Sequence, residues 1–464
     1  MINIIVAFSY KGFIIGCNDQ IPWHIKEDLK HFYELTKDAV VVMGRKTFYS
    51  LPQRPLKNRL NVVVTSKPID YDLIDKHDNL VFIAEEYLDE FISLYTNVFV
   101  IGGEHIYKRF MGRANKIYAT VVHKAVEGNV KFPIENFGLF EIEDYSELKH
   151  SEEEDCDYRF ITYSRTKKTT PHDEYQYLNL MKNILLKGQE RPDRTGVGTK
   201  SLFAPNPLRF DISKTIPLIT TKFVGIKMVI SELLWFLRGQ TDSKILENQG
   251  INIWKDNTSR EFLDKRGLQH YEVGDVGCTY LSFRAFNCDY KGCHVNHLGQ
   301  GVDQISNFIK SLKEDPFSRR HVMTTYNPAK VDQCVLYPCH GLLLQGYVEE
   351  IDGHNHLSIH VNIRSNDEFL GAPVNIASYA ILTHIIAKYT DMTPKDLIIT
   401  IGDAHIYSNH YEQVELQLSR KPLPFPVLEI LDNIKNKKIE DIVVEDFNLV
   451  GYLYHPSIKA PMAV

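Results

Sequence analysis

The stretch Ala39-Val-Val-Val-Met43-Gly44-Arg45-Lys46-Thr47 decides the fold class of the first third of the chain. Five apolar residues in a row leave no polar side, so a strand made from them is buried on both faces, as in a sheet covered by helices. The glycine breaks the run, and the polar residues after it start a helix, which gives the strand–turn–helix unit of an α/β protein. Similar strand-like runs occur at Ile2–Phe8, Leu60–Thr65, Leu80–Ala84 and Asn97–Ile101, with amphipathic stretches between them. The last of these runs into Gly102-Gly103-Glu104-His105-Ile106-Tyr107. Both glycine turns place small residues and free backbone N–H groups at a helix start, which suits phosphate oxygens. Two such turns in one small domain point to a diphosphate ligand, although neither is the GxGxxG of a Rossmann fold.

The 464 residues correspond to two or three domains at about 150 residues each. Hydrophobic residues at 44% and charged residues at 24% exclude disorder and collagen-like repeats. A net charge of −6 gives no support to nucleic-acid binding and leaves room for a local basic pocket. The seven cysteines are scattered without a CxxC, which reads as free thiols in a reducing, cytoplasmic setting. The first residues read as a strand, not a signal peptide. The longest apolar run, Met228 to Leu237, contains Glu232 and is too short to span a bilayer, so no membrane partner is expected. Composition turns acidic from Glu141, a strand-like Tyr158–Ser164 follows, and Arg165-Thr-Lys-Lys-Thr-Thr-Pro171 is basic and apolar-free. The expected boundaries are therefore 1–165, a junction at 166–172, and 173–464.

Within the first domain, Ile21-Pro-Trp-His-Ile-Lys-Glu-Asp28-Leu-Lys-His-Phe32-Tyr-Glu-Leu-Thr36 predicts a helix whose stripe Ile25, Leu29, Phe32 is buried. Asp28 falls on that stripe, while Glu27, Lys30, His31 and Glu34 face water. A carboxylate on an apolar face costs free energy unless it is paired or used. The alternative is an aspartate bonded to a nearby backbone group.

Together these residues resemble dihydrofolate reductase. The matching pattern is Gly12…Gly16-x-Asn18, Ile21-Pro22-Trp23, Asp28-Leu29-x-x-Phe32, Met43-Gly44-Arg45-Lys46-Thr47, Arg59-x-Asn61 and Ile101-Gly102-Gly103-x-x-x-Tyr107. The resemblance implies a mixed sheet flanked by helices and hydride transfer from NADPH to dihydrofolate. It assigns Asp28 to the pterin and its protonation, Arg59 to the glutamate carboxylate, and Phe32 and Ile101 to the walls of the folate site. It assigns NADPH to Ala7, Gly16, Gly44, Arg45, Lys46, Thr47, Thr65, Ser66, Gly102, Gly103 and Tyr107, with Arg45, Thr65 and Ser66 at the 2′-phosphate.

In the second domain, Cys339 stands in Tyr337-Pro338-Cys339-His340, in a region with Arg319, Arg320 and Arg364. Cationic neighbours lower a thiol's pKa and favour a nucleophile, although a single cysteine is more often a buried structural residue. Arg194, in the glycine-rich turn Asp193–Thr199, adds anion capacity. Cys288-x4-Cys293-His294-x2-His297 has metal-ligand types but matches no zinc spacing, so no metal is assigned.

This domain resembles thymidylate synthase. The matching motifs are Asp193-Arg194-Thr195-Gly196-x-Gly198-Thr199, Glu232–Leu237, Pro338-Cys339-His340, Arg364-Ser365-x-Asp367, Asn375–Tyr379, Gly402-Asp403-x-His405-x-Tyr407 and the closing Lys459–Val464. The resemblance implies an α+β domain that methylates dUMP with 5,10-methylenetetrahydrofolate as co-substrate. Cys339 would attack the uracil and Glu232 would organise proton transfer. Arg194, His340, Arg364, Ser365, Asp367, Asn375, His405 and Tyr407 would bind dUMP, with Arg319 and Arg320 reaching it from the partner of a homodimer. Trp254, Asp367 and Ala463 would meet the folate. The segment Tyr280-Leu281-Ser282-Phe283-Arg284 is one residue shorter than the family pattern and lacks its glycine and tryptophan, which leaves the position of Tyr280 open. Asn257 stands where the family has a second tryptophan. The two resemblances together imply one chain with two activities. A reductase carrying a weakened synthase module, and a folate-binding regulator that contacts RNA, are the rival readings.

Overall fold

The computed structural model describes residues 1–18, 20–67, 71–167 and 171–462. It divides into two compact units, Met1–Pro171 and His172–Val464.

The first unit is built from β1 (Ile2–Ser9), α1 (Lys26–Thr36), β2 (Val40–Gly44), α2 (Arg45–Ser50), β3 (Leu60–Val64), β4 (Leu80–Ile83) and β5 (Val98–Gly102). It continues with α3 (Glu104–Met111), β6 (Lys116–Val122), β7 (Phe140–Tyr145), β8 (Lys149–Ser151) and β9 (Cys156–Arg165). The strand order is β8-β9-β6-β1-β5-β2-β3-β4, with β7 paired to β9. Strands β6 through β4 run parallel, and β9 closes antiparallel on β6. This is the mixed α/β sheet expected. Val41, Val42 and Met43 are fully buried, as an all-apolar strand between two helical layers requires.

Three strands of this sheet escape the sequence reading. In β6, Lys116-Ile-Tyr-Ala-Thr-Val-Val122, Lys, Tyr and Thr interrupt the apolar run. The acidic β7 and short β8 sit at the sheet's far side, where charge is tolerated. The α1 stripe also needs correction. Its buried face centres between Asp28 and Phe32, so Leu29 falls at the margin and is 49% exposed. His31 does not face open water either. It is half-buried and stacks on Phe160 at 4.1 Å between ring centroids.

The second unit carries α4 (Glu174–Lys187), β10 (Gln189–Arg191), β11 (Thr199–Phe203), β12 (Leu208–Asp211), α5 (Ile226–Leu237), β13 (Val322–Met323), β14 (Leu343–Ile351), β15 (His354–Asp367), α6 (Gly371–Thr390) and β16 (Thr393–Tyr407). Its sheet runs β10-β11-β16-β15-β14-β13, with β12 on β16. Parallel pairing of β15 with β16 requires a crossover, which α6 supplies. Helix α6 is buried nearly all round, and its core includes Leu344, Val348, Ile359, Val361, Leu397 and Ile399 from the sheet. The alternate residues point away from this core: Leu343 and Tyr347 on β14, and His360 and Asn362 on β15. Tyr347 is 62% exposed, unusual for an aromatic in mid-strand.

Candidate active sites

In the first unit, β2, β3 and β5 are parallel neighbours, and Gly44, Thr65 and Gly102 stand at their carboxyl ends. The register pairs Met43 with Gly102 and Gly44 with Val64, so both predicted glycine turns lie side by side. Helices α2 and α3 start there with Gly44 and Gly103 as N-caps and no side-chain cap. A Cβ on Gly103 would come within 3.2 Å of the Thr47 hydroxyl, so glycine keeps the backbone open between the turns. The guanidinium of Arg45 lies 5.0 Å from the Tyr49 ring centroid, Lys46 and Ser66 are exposed, and Thr65 accepts from the N–H of Lys67 at 3.1 Å. This edge fits a phosphorylated dinucleotide.

The acid lies against the same strands. Asp28 accepts a hydrogen bond of 2.6 Å from the Thr120 hydroxyl on β6, and Thr120 is the register partner of Ala7 on β1. Tyr107 donates its hydroxyl to the Ile5 carbonyl at 2.8 Å, and its ring stands 3.4 Å from where a Cβ on Gly102 would sit. Burial pushes the Asp28 carboxyl above its ordinary value, and the bond from Thr120 works against that shift. The aspartate is therefore bonded to a side chain, not to the backbone group offered as the alternative. Gly16 ends a short strand paired with Val130, and Ile101 lies on β5. Arg59 is 8% exposed, its guanidinium lies 5.6 Å from the Phe32 ring centroid, and it donates to the Thr36 hydroxyl at 3.0 Å. Among the described residues no carboxylate pairs with it, so a nearly buried cation is left for an anionic ligand.

In the second unit the carbonyl of Cys339 accepts from the N–H of Arg364 at 2.7 Å, which ties the thiol's backbone to β15. The Tyr280 hydroxyl lies 3.6 Å from the thiol, so the altered segment still delivers that side chain to the nucleophile. Tyr280 stacks on His340 at 4.4 Å, and His340 Nδ1 pairs with the Tyr379 hydroxyl at 2.7 Å. Burial drops His340 to about 3, so the ring is neutral. Gly341 adopts a φ of +66°, and a Cβ there would stand 2.4 Å from the Tyr379 hydroxyl, so the residue after Cys339-His340 must be glycine. Burial raises the Cys339 thiol, whereas Tyr280 and Arg364 favour its thiolate. Glu232 on α5 accepts from the Trp254 indole at 2.9 Å, and burial pushes its carboxyl up to about 7. A carboxyl that titrates near neutrality can both take and give a proton.

The anion side is assembled by backbone. Asp193 accepts from the N–H groups of Thr195 at 2.8 Å and Gly198 at 2.7 Å, which shapes the loop presenting the exposed Arg194. That loop is pinned to Ser408, whose N–H donates to the Gly198 carbonyl at 3.0 Å, and Thr199 pairs with Tyr407. Ser365 and Asp367 stand opposite Asp403 and His405 in the β15–β16 register. His405 Nδ1 lies 3.4 Å from Asp403 Oδ1, and Asn375 on α6 donates to Asn366 at 2.9 Å.

Some candidates stay apart. Arg319 and Arg320 are exposed, and no hydrogen bond or ion pair among the described residues ties them to Cys339. Ala463 lies outside the described residues. The metal-like motif does not converge as a whole: Cys288 packs with Leu281 and Ala285, while Cys293 and His294 approach Asp242 with ligand atoms within 4.8 Å. Sequence reasoning missed several residues. Thr120 lay in the unread β6. Lys222 is buried, donates to the Phe369 carbonyl and is lowered by burial to about 7; the pattern Thr-Thr-Lys gives no hint of this. Asn366 occupies the unspecified place in Arg364-Ser365-x-Asp367.

Comparison with known proteins finds both families in the chain. Residues 1–165 match the dihydrofolate reductase family model, and residues 175–464 match that of thymidylate synthase. The chain is 36% identical over 469 residues to a bifunctional dihydrofolate reductase-thymidylate synthase of Paramecium tetraurelia, covering 100% of this chain and 98% of the relative. Proteins of the same description are 36% identical in Zea mays, over 99% of this chain and 96% of the relative, and 35% identical in Plasmodium berghei, over 94% and 86%.

Proposed function

The chain belongs to the bifunctional dihydrofolate reductase-thymidylate synthase family, and on that premise we propose how its own residues divide the work. It reduces dihydrofolate with NADPH, and it methylates dUMP to dTMP with 5,10-methylenetetrahydrofolate, which leaves as dihydrofolate. We assign the reductase to residues 1–165 and the synthase to 173–464, joined by 166–172.

In the reductase, bound NADPH supplies the hydride for dihydrofolate. Gly44, Arg45, Lys46, Thr47, Thr65, Ser66, Gly102 and Gly103, with Ala7, Gly16 and Tyr107, would hold the dinucleotide. Asp28 hydrogen-bonds the pterin and promotes its protonation, and burial, which raises its carboxyl above the ordinary value, makes it easier to protonate than a free carboxylate. Phe32 and Ile101 wall the folate, and Arg59 takes its carboxylate. Arg59→Ala is expected to raise the KM for dihydrofolate at least about thirtyfold, the loss typical of breaking a buried charge pair, with the KM for NADPH little changed. Steady-state kinetics with each substrate varied decide this; an unchanged folate KM would remove the role.

The synthase assignment is carried by one observation, the thiol of Cys339 flanked by Tyr280 and Arg364. Addition of Cys339 Sγ to C6 of the uracil makes C5 nucleophilic enough to take the one-carbon unit. Arg194, Arg364 and Ser365 receive the phosphate, His405 and Tyr407 the ribose, and Asn375 the pyrimidine edge. His340 is neutral and stacked on Tyr280, so it shapes the thiol's surroundings without adding charge. Glu232 passes protons through the site. Trp254 and Asp367 face the folate. The test is tritium release from 5-tritiated dUMP on adding methylenetetrahydrofolate.

We further propose a homodimer through the synthase unit, because Arg319 and Arg320 pair with no carboxylate among the described residues and the outer sheet face presents Leu343 and Tyr347. Equal mixtures of Cys339→Ser chains and Arg319→Ala/Arg320→Ala chains should regain about a quarter of the parent synthase rate, since random pairing rebuilds one intact site in half the dimers. A monomer by size exclusion, or no recovery, would contradict this. No helix among the described residues is long and apolar enough to cross a membrane. We place the protein in the cytoplasm, in keeping with its seven free cysteines.

A further inference from the structure

The carboxamide of Asn375 is held in one orientation. Its Nδ2 donates to Asn366 Oδ1 at 2.9 Å, and Asn366 Nδ2 donates to Glu368 Oε1 at 2.9 Å. Asn366 and Glu368 are buried, at 3% and 0% exposure, so neither can exchange these bonds for water. The chain of bonds has a direction. An acceptor on Glu368 draws the NH2 of Asn366, which leaves Asn366 Oδ1 facing Asn375, which in turn draws the NH2 of Asn375. Asn375 is left with its carbonyl oxygen and one N–H in a fixed order.

That order has chemical content. Uracil presents a donor at N3 and an acceptor at O4, whereas cytosine presents an acceptor at N3 and an amino donor at C4. A carboxamide free to flip matches either ring, and a fixed one matches only one. We propose that Asn366 and Glu368 are positioning residues that act through Asn375 to make the synthase select uracil over cytosine nucleotides. This rests on Asn375 meeting the pyrimidine edge, and it adds what sets that residue's polarity.

The surroundings of Glu368 support the role. Its Oε2 is buried with no hydrogen-bond partner among the described residues, and burial holds the carboxyl up at about 8, so it is protonated at neutral pH. A protonated carboxyl avoids a buried charge while Oε1 still accepts from Asn366. The Glu368 backbone is pinned from two sides: its carbonyl accepts from the Tyr177 hydroxyl at 2.7 Å, and its N–H donates to the His405 carbonyl at 2.9 Å.

The experiment uses the full chain with Asn366→Ala, Glu368→Val, Glu368→Gln and Asn375→Ala, and it follows synthase kinetics together with calorimetric binding of dUMP and dCMP. Reductase rate and melting temperature report folding, and Asn366→Ser takes over if Glu368→Val does not fold. Asn366→Ala and Glu368→Val are expected to raise the KM for dUMP about tenfold with a smaller change in kcat, and to shrink the dCMP-to-dUMP ratio of dissociation constants about tenfold, the worth of one buried hydrogen bond. Glu368→Gln keeps an acceptor oxygen and should stay within about threefold of the parent. An unchanged ratio in Asn366→Ala and Glu368→Val, or a Glu368→Gln variant as impaired as Glu368→Val, overturns the proposal. If Asn375→Ala leaves dUMP affinity intact, the reading of Asn375 fails, and this inference with it. If Asn375→Ala weakens dUMP while the other two are silent, only the relay fails.

Discussion

Cys339→Ser is expected to lose at least about a thousandfold of dTMP formation, because a hydroxyl is a far weaker nucleophile than a thiol at neutral pH. The geometry sharpens this expectation. Burial already raises the Cys339 thiol, and the Tyr280 hydroxyl and the Arg364 guanidinium are the two side chains that favour its ionised form. Serine starts from a much higher pKa, and the same two groups cannot close that gap. Oxidation of NADPH by dihydrofolate should stay at the parent rate, since Asp28 and its partners belong to the other compact unit. Tritium release from dUMP and NADPH absorbance, measured on one preparation, settle the matter. Substantial tritium release by the serine variant would mean that another group attacks the uracil.

The second large effect concerns Asp28→Asn. The carboxamide keeps the shape and can still accept from Thr120, so folding should survive. What disappears is the group that exchanges a proton near the pterin, and general acid–base contributions of that kind are worth about 10²- to 10⁴-fold. Reductase turnover near neutral pH should fall by that range. The pH profile gives an independent readout. The parent should show an inflection above the ordinary carboxylate value, because burial outweighs the Thr120 bond in setting this pKa, and the variant should lack it. Equal rates with an identical profile would sink the assignment, and dTMP formation should be unaffected.

How far the residues announced these sites depends on what kind of signal each carries. Val40–Gly44 and Val98–Gly102 were readable because strands buried on both faces are apolar throughout, and the glycines after them mark the turns. Lys116–Val122 was not, because a strand that lends Thr120 to the acid has a polar residue facing inward, and that breaks the apolar pattern. Leu29 was misplaced because a helix projection weighs apolar residues alone, and here Asp28 occupies part of the buried face. Cys339, His340 and Arg364 could be named from motifs, whereas Tyr280 could be placed only in three dimensions, since the residues after it had changed. Asn366 and Glu368 are invisible to motif reading. Their meaning lies in hydrogen bonds between residues whose types the pattern leaves unspecified.

The place of β1 in the first sheet has a consequence for how the chain is made. This strand leaves the ribosome well before the strands it pairs with, for it lies in mid-sheet with β5 on one side and β6 on the other. Its neighbours are synthesised roughly a hundred residues later, a delay of about 5–20 s at ordinary elongation rates. Throughout that interval Ile2-Asn-Ile-Ile-Val-Ala-Phe-Ser9 is an apolar segment with both edges unpaired, the kind of sequence that adheres to other nascent chains. Its yield in the cell therefore depends on what shelters those eight residues during the wait.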